Sequence, residues 1–211
     1  MITDMPGLIL PLMTYCLSAL LLVQHASAAD SPEVLMEKAQ SAFDQADVVS
    51  AMTLYREAAE AGHAPAQARL AYLLDKSEEN EEAVTWYRRA TELGDTEGMF
   101  GLAQMYAAGE GIGQDLQEAV RWYTLAAQQG HTSSIRVLAL AHETGGLGLK
   151  INYAQAISWL NAGVVAQDAW ATQRLARAWR RGELGLRIDS EQAAFLENRL
   201  LRKRQETGSA Q

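Results

Sequence analysis

The chain has 211 residues, 48% hydrophobic and 21% charged with only 4 prolines, a balance that suits one folded unit and not a disordered tail. Its formal net charge is −8 and it holds a single cysteine, which excludes an internal disulfide framework and argues against a nucleic-acid partner.

Residues 8–23, "LILPLMTYCLSALLLV", are apolar and uncharged, and Ala26-Ser27-Ala28 follows with the small-x-small pattern of a signal-peptidase site. Residues 1–28 are therefore expected to be an export signal cleaved before Ala29, which places the mature chain in the periplasm. The leading residues carry Asp4 and neither Lys nor Arg, so the alternative is an uncleaved N-terminal anchor. Against it, the apolar run is shorter than the roughly 20 residues of a spanning helix, and Pro11 interrupts it. Cys16 lies within this segment without the small residues that precede a lipidated cysteine, so lipidation is not expected and the mature chain has no thiol.

Residues 29–46 predict an N-terminal capping helix, with Ser31 as N-cap, Pro32 at the first helical position, and Leu35, Ala39 and Phe43 facing inward. From there the chain repeats. "AMTLY" begins at Ala51, "AVTWY" at Ala83, "AVRWY" at Ala119, "AISWL" at Ala156 and a degenerate "AAFLE" at Ala193, at intervals of 32, 36, 37 and 37 residues. Gly62, Gly94, Gly130 and Gln167 follow in register, then Leu70, Leu102, Leu138 and Leu175. In the third copy Ala119, Trp122, Tyr123 and Ala126 share one helical face, Gly130 stops the helix, and Ile135, Leu138, Ala139 and His142 line a second helix. Each copy thus reads as two helices, over residues 47–80, 81–115, 116–152 and 153–189. Glycine-rich connectors start at Gly109, Gly145 and Gly182, and Asp115, Asn152 and Asp189 stand where they can cap the next helix. Residues 190–204 predict a C-terminal capping helix whose Arg202, Lys203 and Arg204 sit at its negative end, and residues 205–211 a disordered tail.

This pattern resembles the Sel1-like repeat family, a relative of tetratricopeptide repeats. Residues 102–131, "LAQMYAAGEGIGQDLQEAVRWYTLAAQQGH", match the family's order of leucine, tyrosine, glycine loop, aspartate, alanine, Trp-Tyr, Ala-Ala and Gly-His, and the likeness extends over residues 47–201. It implies an all-α fold, a right-handed α-solenoid of about four helix-turn-helix repeats with capping helices. Members of the family act as adaptors or scaffolds in bacterial envelope and signalling assemblies. The shortened first connector "DKSEENEE", and Leu160 and Gln167 in the fourth copy, depart from the pattern, so local irregularity is expected at both ends. Cysteine-rich relatives have been linked to β-lactam binding or hydrolysis, but their cysteine pairs are missing here.

No residues point to chemistry. "GEGIGQD" joins two helices and lacks both the lysine and the spacing of a phosphate loop, so no cofactor is expected. His63 and His131 align with Asp95 and Asp168 at helix starts, which suits caps, and His142 aligns with packing residues; no pair has metal-ligand spacing. No nucleophile elbow, HExxH or framed carboxylate pair is present, so no catalytic residue is assigned. Trp122 aligns with Leu54, Trp86 and Trp159, and Tyr123 with Tyr55, Tyr87 and Leu160, which identifies the doublet as packing rather than a ligand cage.

Charge is lopsided: residues 29–166 carry 19 acidic and 9 basic side chains, and residues 167–211 carry 6 acidic and 9 basic. At the basic end Trp170 aligns with Pro65, Glu97 and Ser133, with Arg174, Arg177 and Arg181 at helical steps after it, the composition of a binding hot spot with scope for cation–π stacking. Lys150 and Arg187 occupy matching places in two connectors and extend the candidate partner-binding set. The structural alternative is that Trp170 covers the last repeat and the arginines form a solvated face. The expected function is a non-enzymatic, exported interaction scaffold for an envelope protein partner. Alternatives are self-association, binding of an anionic glycan such as peptidoglycan fragments or of anionic lipid, and, third, a repeat-derived hydrolase.

Overall fold

A computed structural model of the chain describes residues 30–208. The expected signal segment, residues 1–28, and residues 209–211 lie outside them. No described helix is long and apolar enough to cross a membrane. The described residues form ten α-helices and one 3-10 turn, with no strand: α1 Pro32–Asp44, α2 Val48–Glu60, α3 Ala64–Lys76, α4 Asn80–Glu92, α5 Thr96–Ala108, α6 Leu116–Gln128, α7 Thr132–Thr144, α8 Tyr153–Val165, α9 Ala169–Arg181 and α10 Ser190–Gly208. Each helix but the last has 13 residues, a rod of about 20 Å.

The closest helix pairs are α1 with α2, α3 with α4, α5 with α6, α7 with α8, and α9 with α10. The structural unit is therefore a hairpin closed by a connector such as "GEGIGQD", half a repeat out of phase with a division that starts at each Ala-x-x-Trp-Tyr motif. In this phase the two expected capping helices are not half-units: α1 completes a first hairpin and α10 a fifth. The all-α repeat solenoid expected from the sequence is what the chain forms.

Turn chemistry sets the spacing. Residues 61–63, 93–95, 129–131 and 166–168 link consecutive hairpins by one motif, in which Gly62, Gly94, Gly130 and Gln167 are left-handed. In the first, the Gly62 amide donates to the Ala59 carbonyl at 3.0 Å and the His63 amide to the Ala58 carbonyl at 3.1 Å, satisfying carbonyls left open at the helix end. The same bonds recur from Asp95 to Ala90, His131 to Ala126 and Asp168 to Gly163. Within hairpins, the connectors at residues 45–47 and 77–79 are equally short, whereas those at 109–115, 145–152 and 182–189 are long. Each long connector closes with one backbone bond, the amides of Asp115, Asn152 and Asp189 donating to the carbonyls of Tyr106, His142 and Trp179. The side chains of those three residues then cap α6, α8 and α10 as expected.

The repeated residues form the core. Ala51, Ala83, Ala119, Ala156 and Ala193 are fully buried, letting neighbouring helices approach, and Tyr55, Tyr87, Tyr123 and Leu160 pack beside Leu70, Leu102, Leu138 and Leu175. Burying one such tyrosine removes about 200 Å² from water, of order 4–5 kcal/mol before conformational entropy is charged.

Two expectations at the ends are corrected. Phe43 is 38% exposed rather than inward, because among the described residues α1 has a neighbour on one side only and Ala39, with Leu35, Met36 and Ala42, fills that contact. The C-terminal helix does not stop at residue 204: α10 runs to Gly208, since no proline or glycine intervenes, and the basic run 202–204 lies short of its last turn.

Candidate functional site

The first helices of the hairpins, α1, α3, α5, α7 and α9, present one face along the solenoid. On α3 that face carries Pro65, Arg69, Tyr72 and Lys76, and register places Glu97, Gly101, Gln104 and Ala108 of α5 beside them, then Ser133, Val137, Leu140 and Thr144 of α7, then Trp170, Arg174, Arg177 and Arg181 of α9. The buried positions of these helices repeat the same residue types, whereas the exposed stripe at Tyr72, Gln104, Leu140 and Arg177 changes chemistry at every step.

Toward the N-terminal end the face deepens into a hollow of about 590 Å³ between α3 and α5, walled by Tyr72, Lys76, Phe100 and Gln104 and floored by Tyr87 and Tyr123. A second hollow of about 430 Å³ shares Tyr72, Phe100 and Gln104 and continues toward Arg69 and Glu97. Gly101 makes the floor possible, because a Cβ there would lie 2.1 Å from the Tyr87 ring. Burial pushes the Tyr123 hydroxyl up to about 12 and that of Tyr87 still higher, so the floor is neutral at any physiological pH. Tyr72 is 44% exposed, with the Lys76 ammonium 5.5 Å from its ring centre. Sequence reasoning missed this groove; the variation at the position two residues after each repeated leucine was its visible signal.

The structure divides the six residues of the sequence-based patch. Trp170 is half-buried and packs on the C-terminal core. Its cationic neighbour is Arg136 of α7, 6.0 Å from the ring, and not an arginine of its own helix. Arg136 also grips Asp168 with its guanidinium. Burial raises the Asp168 carboxyl, but Arg136 and the Ala171 amide outweigh that and hold it below the usual carboxylate range. Arg174, expected to be exposed, is only 11% so: it bonds Glu143 of α7 and Glu183 of the last connector, each at 2.8 Å, and ties the fourth and fifth hairpins together. Arg177 shares Glu183 at 3.3 Å while staying half-exposed. Arg181, Lys150 and Arg187 are exposed and form no ion pair among the described residues. The patch is thus part structural clasp and part exposed cationic surface, continuous with the groove-bearing face.

The histidines behave as expected from their alignment. Nδ1 of His63 accepts the Ala66 amide and Nδ1 of His131 that of Ser134, each at 3.2 Å, the role Asp95 and Asp168 play in the other copies. His142 is half-buried on its packing stripe, and burial lowers its pKa. Among the described residues no three metal-ligating side chains converge.

Comparison with known proteins gives a consistent picture. A family model described as Sel1 repeat matches residues 44–63, 64–95, 96–131 and 133–163, and three of its copies open close to α3, α5 and α7, the phase of the structural hairpins. Among solved structures, the chain is similar to a Sel1 repeat protein from Oxalobacter formigenes, at 24% identity and a TM-score of 0.70 over 79% of this chain and 69% of that one. It is similar to a protective antigen of uropathogenic Escherichia coli displaying an SLR fold, at 28% identity and a TM-score of 0.67, over 83% of this chain but 39% of the antigen. A Sel1 repeat protein from Klebsiella pneumoniae subsp. pneumoniae shares 18% identity and a TM-score of 0.55, over 85% and 90% of the two chains. No curated protein matches.

Proposed function

Because the chain belongs to the Sel1 repeat family, whose members generally mediate protein–protein interaction, we propose that it is a non-enzymatic scaffold that holds a protein partner against the face of its first helices. The observation that carries this reading is the contrast on that face: packing positions recur from copy to copy, while exposed positions vary and open into a groove floored by tyrosine. A concavity with a few exposed aromatic and charged anchors suits a protein segment. Arg177 and Arg181 on the same stripe, with Trp170 partly exposed beside them and Lys150 and Arg187 in the adjoining connectors, would contact an acidic part of that partner.

Export belongs to the same proposal. The apolar run at residues 8–23 and Ala26-Ser27-Ala28 support a chain cleaved before Ala29 that meets its partner in the bacterial envelope. The test is in-cell photocrosslinking from positions 72, 104 and 177, with Thr85 on an exposed second-helix position as control, followed by mass spectrometry that also reads the mature N-terminus. Protein adducts confined to the first-helix positions are expected. Recovery of glycan alone, or equal crosslinking from position 85, would overturn the reading.

A further inference from the structure

The two ends of the solenoid continue the register of its internal junctions. Inside the molecule, three positions of a first helix meet three of the preceding second helix. The Gln67 side chain donates to the Ala59 carbonyl at 3.0 Å. A Cβ at Gly98 would lie 2.6 Å from that of Ala90, and one at Gly163 2.4 Å from that of Ala171. Leu70 shares a buried cluster with Tyr55, Leu138 with Tyr123, and Leu175 with Leu160.

Helix α1 repeats the first set as Leu35, Val34 and Lys38, and α10 repeats the second as Leu201, Leu200 and Glu197. Val34, Lys38 and Leu201 are exposed, and Leu35, Leu200 and Glu197 are half-buried. Val34 is 38% exposed where Ala66 is 0%, and Leu201 is 52% exposed where Ala59 is 2%. The leucine–tyrosine rung of the internal junctions has become a lysine on one end, its side chain 54% exposed, and a glutamate on the other, 45% exposed. Charge follows the same sense: residues 30–60 hold 7 acidic and 2 basic side chains, and residues 169–208 hold 5 acidic and 9 basic.

We propose that copies of this chain associate head to tail, the first hairpin of one docking on the last hairpin of the next, with Lys38 of one copy facing Glu197 of its neighbour and Leu35 against Leu201. The present partners of those charges, Asp30 for Lys38 and Arg180 for Glu197, are exposed pairs of small energetic weight, so exchanging them costs little. Val34 and Leu200 are bulkier than the alanine and glycine at internal junctions, so copies sit further apart than hairpins do, and the contact is weak and reversible. The two faces differ, so a dimer keeps one free face of each kind and association continues past it.

Sedimentation of the full chain between about 1 µM and about 1 mM tests this. The weight-average mass is expected to climb with concentration past that of a dimer and to fall as salt rises from about 0.05 to about 0.5 M. K38E or E197K alone should weaken association at least tenfold, and the K38E/E197K double variant should restore it. Leu201→Asp, at an exposed position, should abolish growth independently. A monomer at every concentration, its N-terminal face covered by its own residues 1–29 or reserved for another protein, would overturn the proposal. So would a plateau at the dimer, or equal association in the single and double variants.

Discussion

Ala46 holds a left-handed backbone, φ 62°, at the kind of turn where Gly62, Gly94 and Gly130 stand elsewhere. A side chain in that conformation costs about 1–2 kcal/mol, and the greater unfolded-state freedom of glycine offsets about half of what a replacement recovers. Ala46→Gly should therefore stabilise the protein by about 0.5–1 kcal/mol, read as a higher urea midpoint with an unchanged slope. The tryptophans of the repeat motif differ in a way their shared position conceals. Trp86 is 5% exposed and its indole N–H donates to Glu82 at 3.0 Å. Trp122 is half-buried under the Arg121 guanidinium, and its buried N–H has no partner among the described residues. Phenylalanine removes a satisfied donor from the first site and an unsatisfied one from the second. Trp86→Phe should thus cost about 1–2 kcal/mol more than Trp122→Phe, measured by chemical denaturation of both variants. Alignment was enough to identify both residues as packing groups; only the three-dimensional neighbours separate them.

Between elements, the contact of α7 with α9 depends on a charge that sequence spacing did not reveal. Asp168 caps α9 and at the same time meets Arg136, 32 residues earlier. Its folded pKa is lowered, so its contribution is present above the ordinary aspartate range and is lost as pH falls through the folded value. Asp168→Asn keeps a capping oxygen and loses the charge. It should cost about 1–2 kcal/mol at pH 7, discounted because Arg136 is 43% exposed, and the gap from the parent should shrink below about pH 4 in thermal melts. The fold itself was legible, because the Ala-x-x-Trp-Tyr ladder, the glycine stops and the capping aspartates are all local signals. The phase of the hairpins was not, since a periodic sequence can be cut anywhere and only packing shows which neighbours lie closest. Nor was the burial of Arg174, whose partner Glu143 is 31 residues away and belongs to another copy. The groove escaped for the same reason: Tyr72, Phe100 and Tyr123 come from three helices in two hairpins.

Over the whole molecule, the main helix packing among the described residues runs within hairpins and between neighbouring ones, so stability is a sum of local units and junctions. Among the described residues, the outermost helices have one neighbouring layer instead of two. Amide hydrogen exchange should accordingly be fastest in α1 and α10 and slowest in α4 to α7; uniform protection would show that the array opens only as a unit. The repeat intervals also find their cause at this scale. Helices and inter-hairpin turns are constant in length, so the change from 32 to 37 residues arises wholly within the hairpin connectors, along one edge of the solenoid. That edge is where evolution can insert or delete residues without moving any stacked layer. A Cβ at Gly113, in the first long connector, would meet nothing within 4 Å, which makes it a natural place to graft a foreign peptide or label while the opposite turns keep the frame in step.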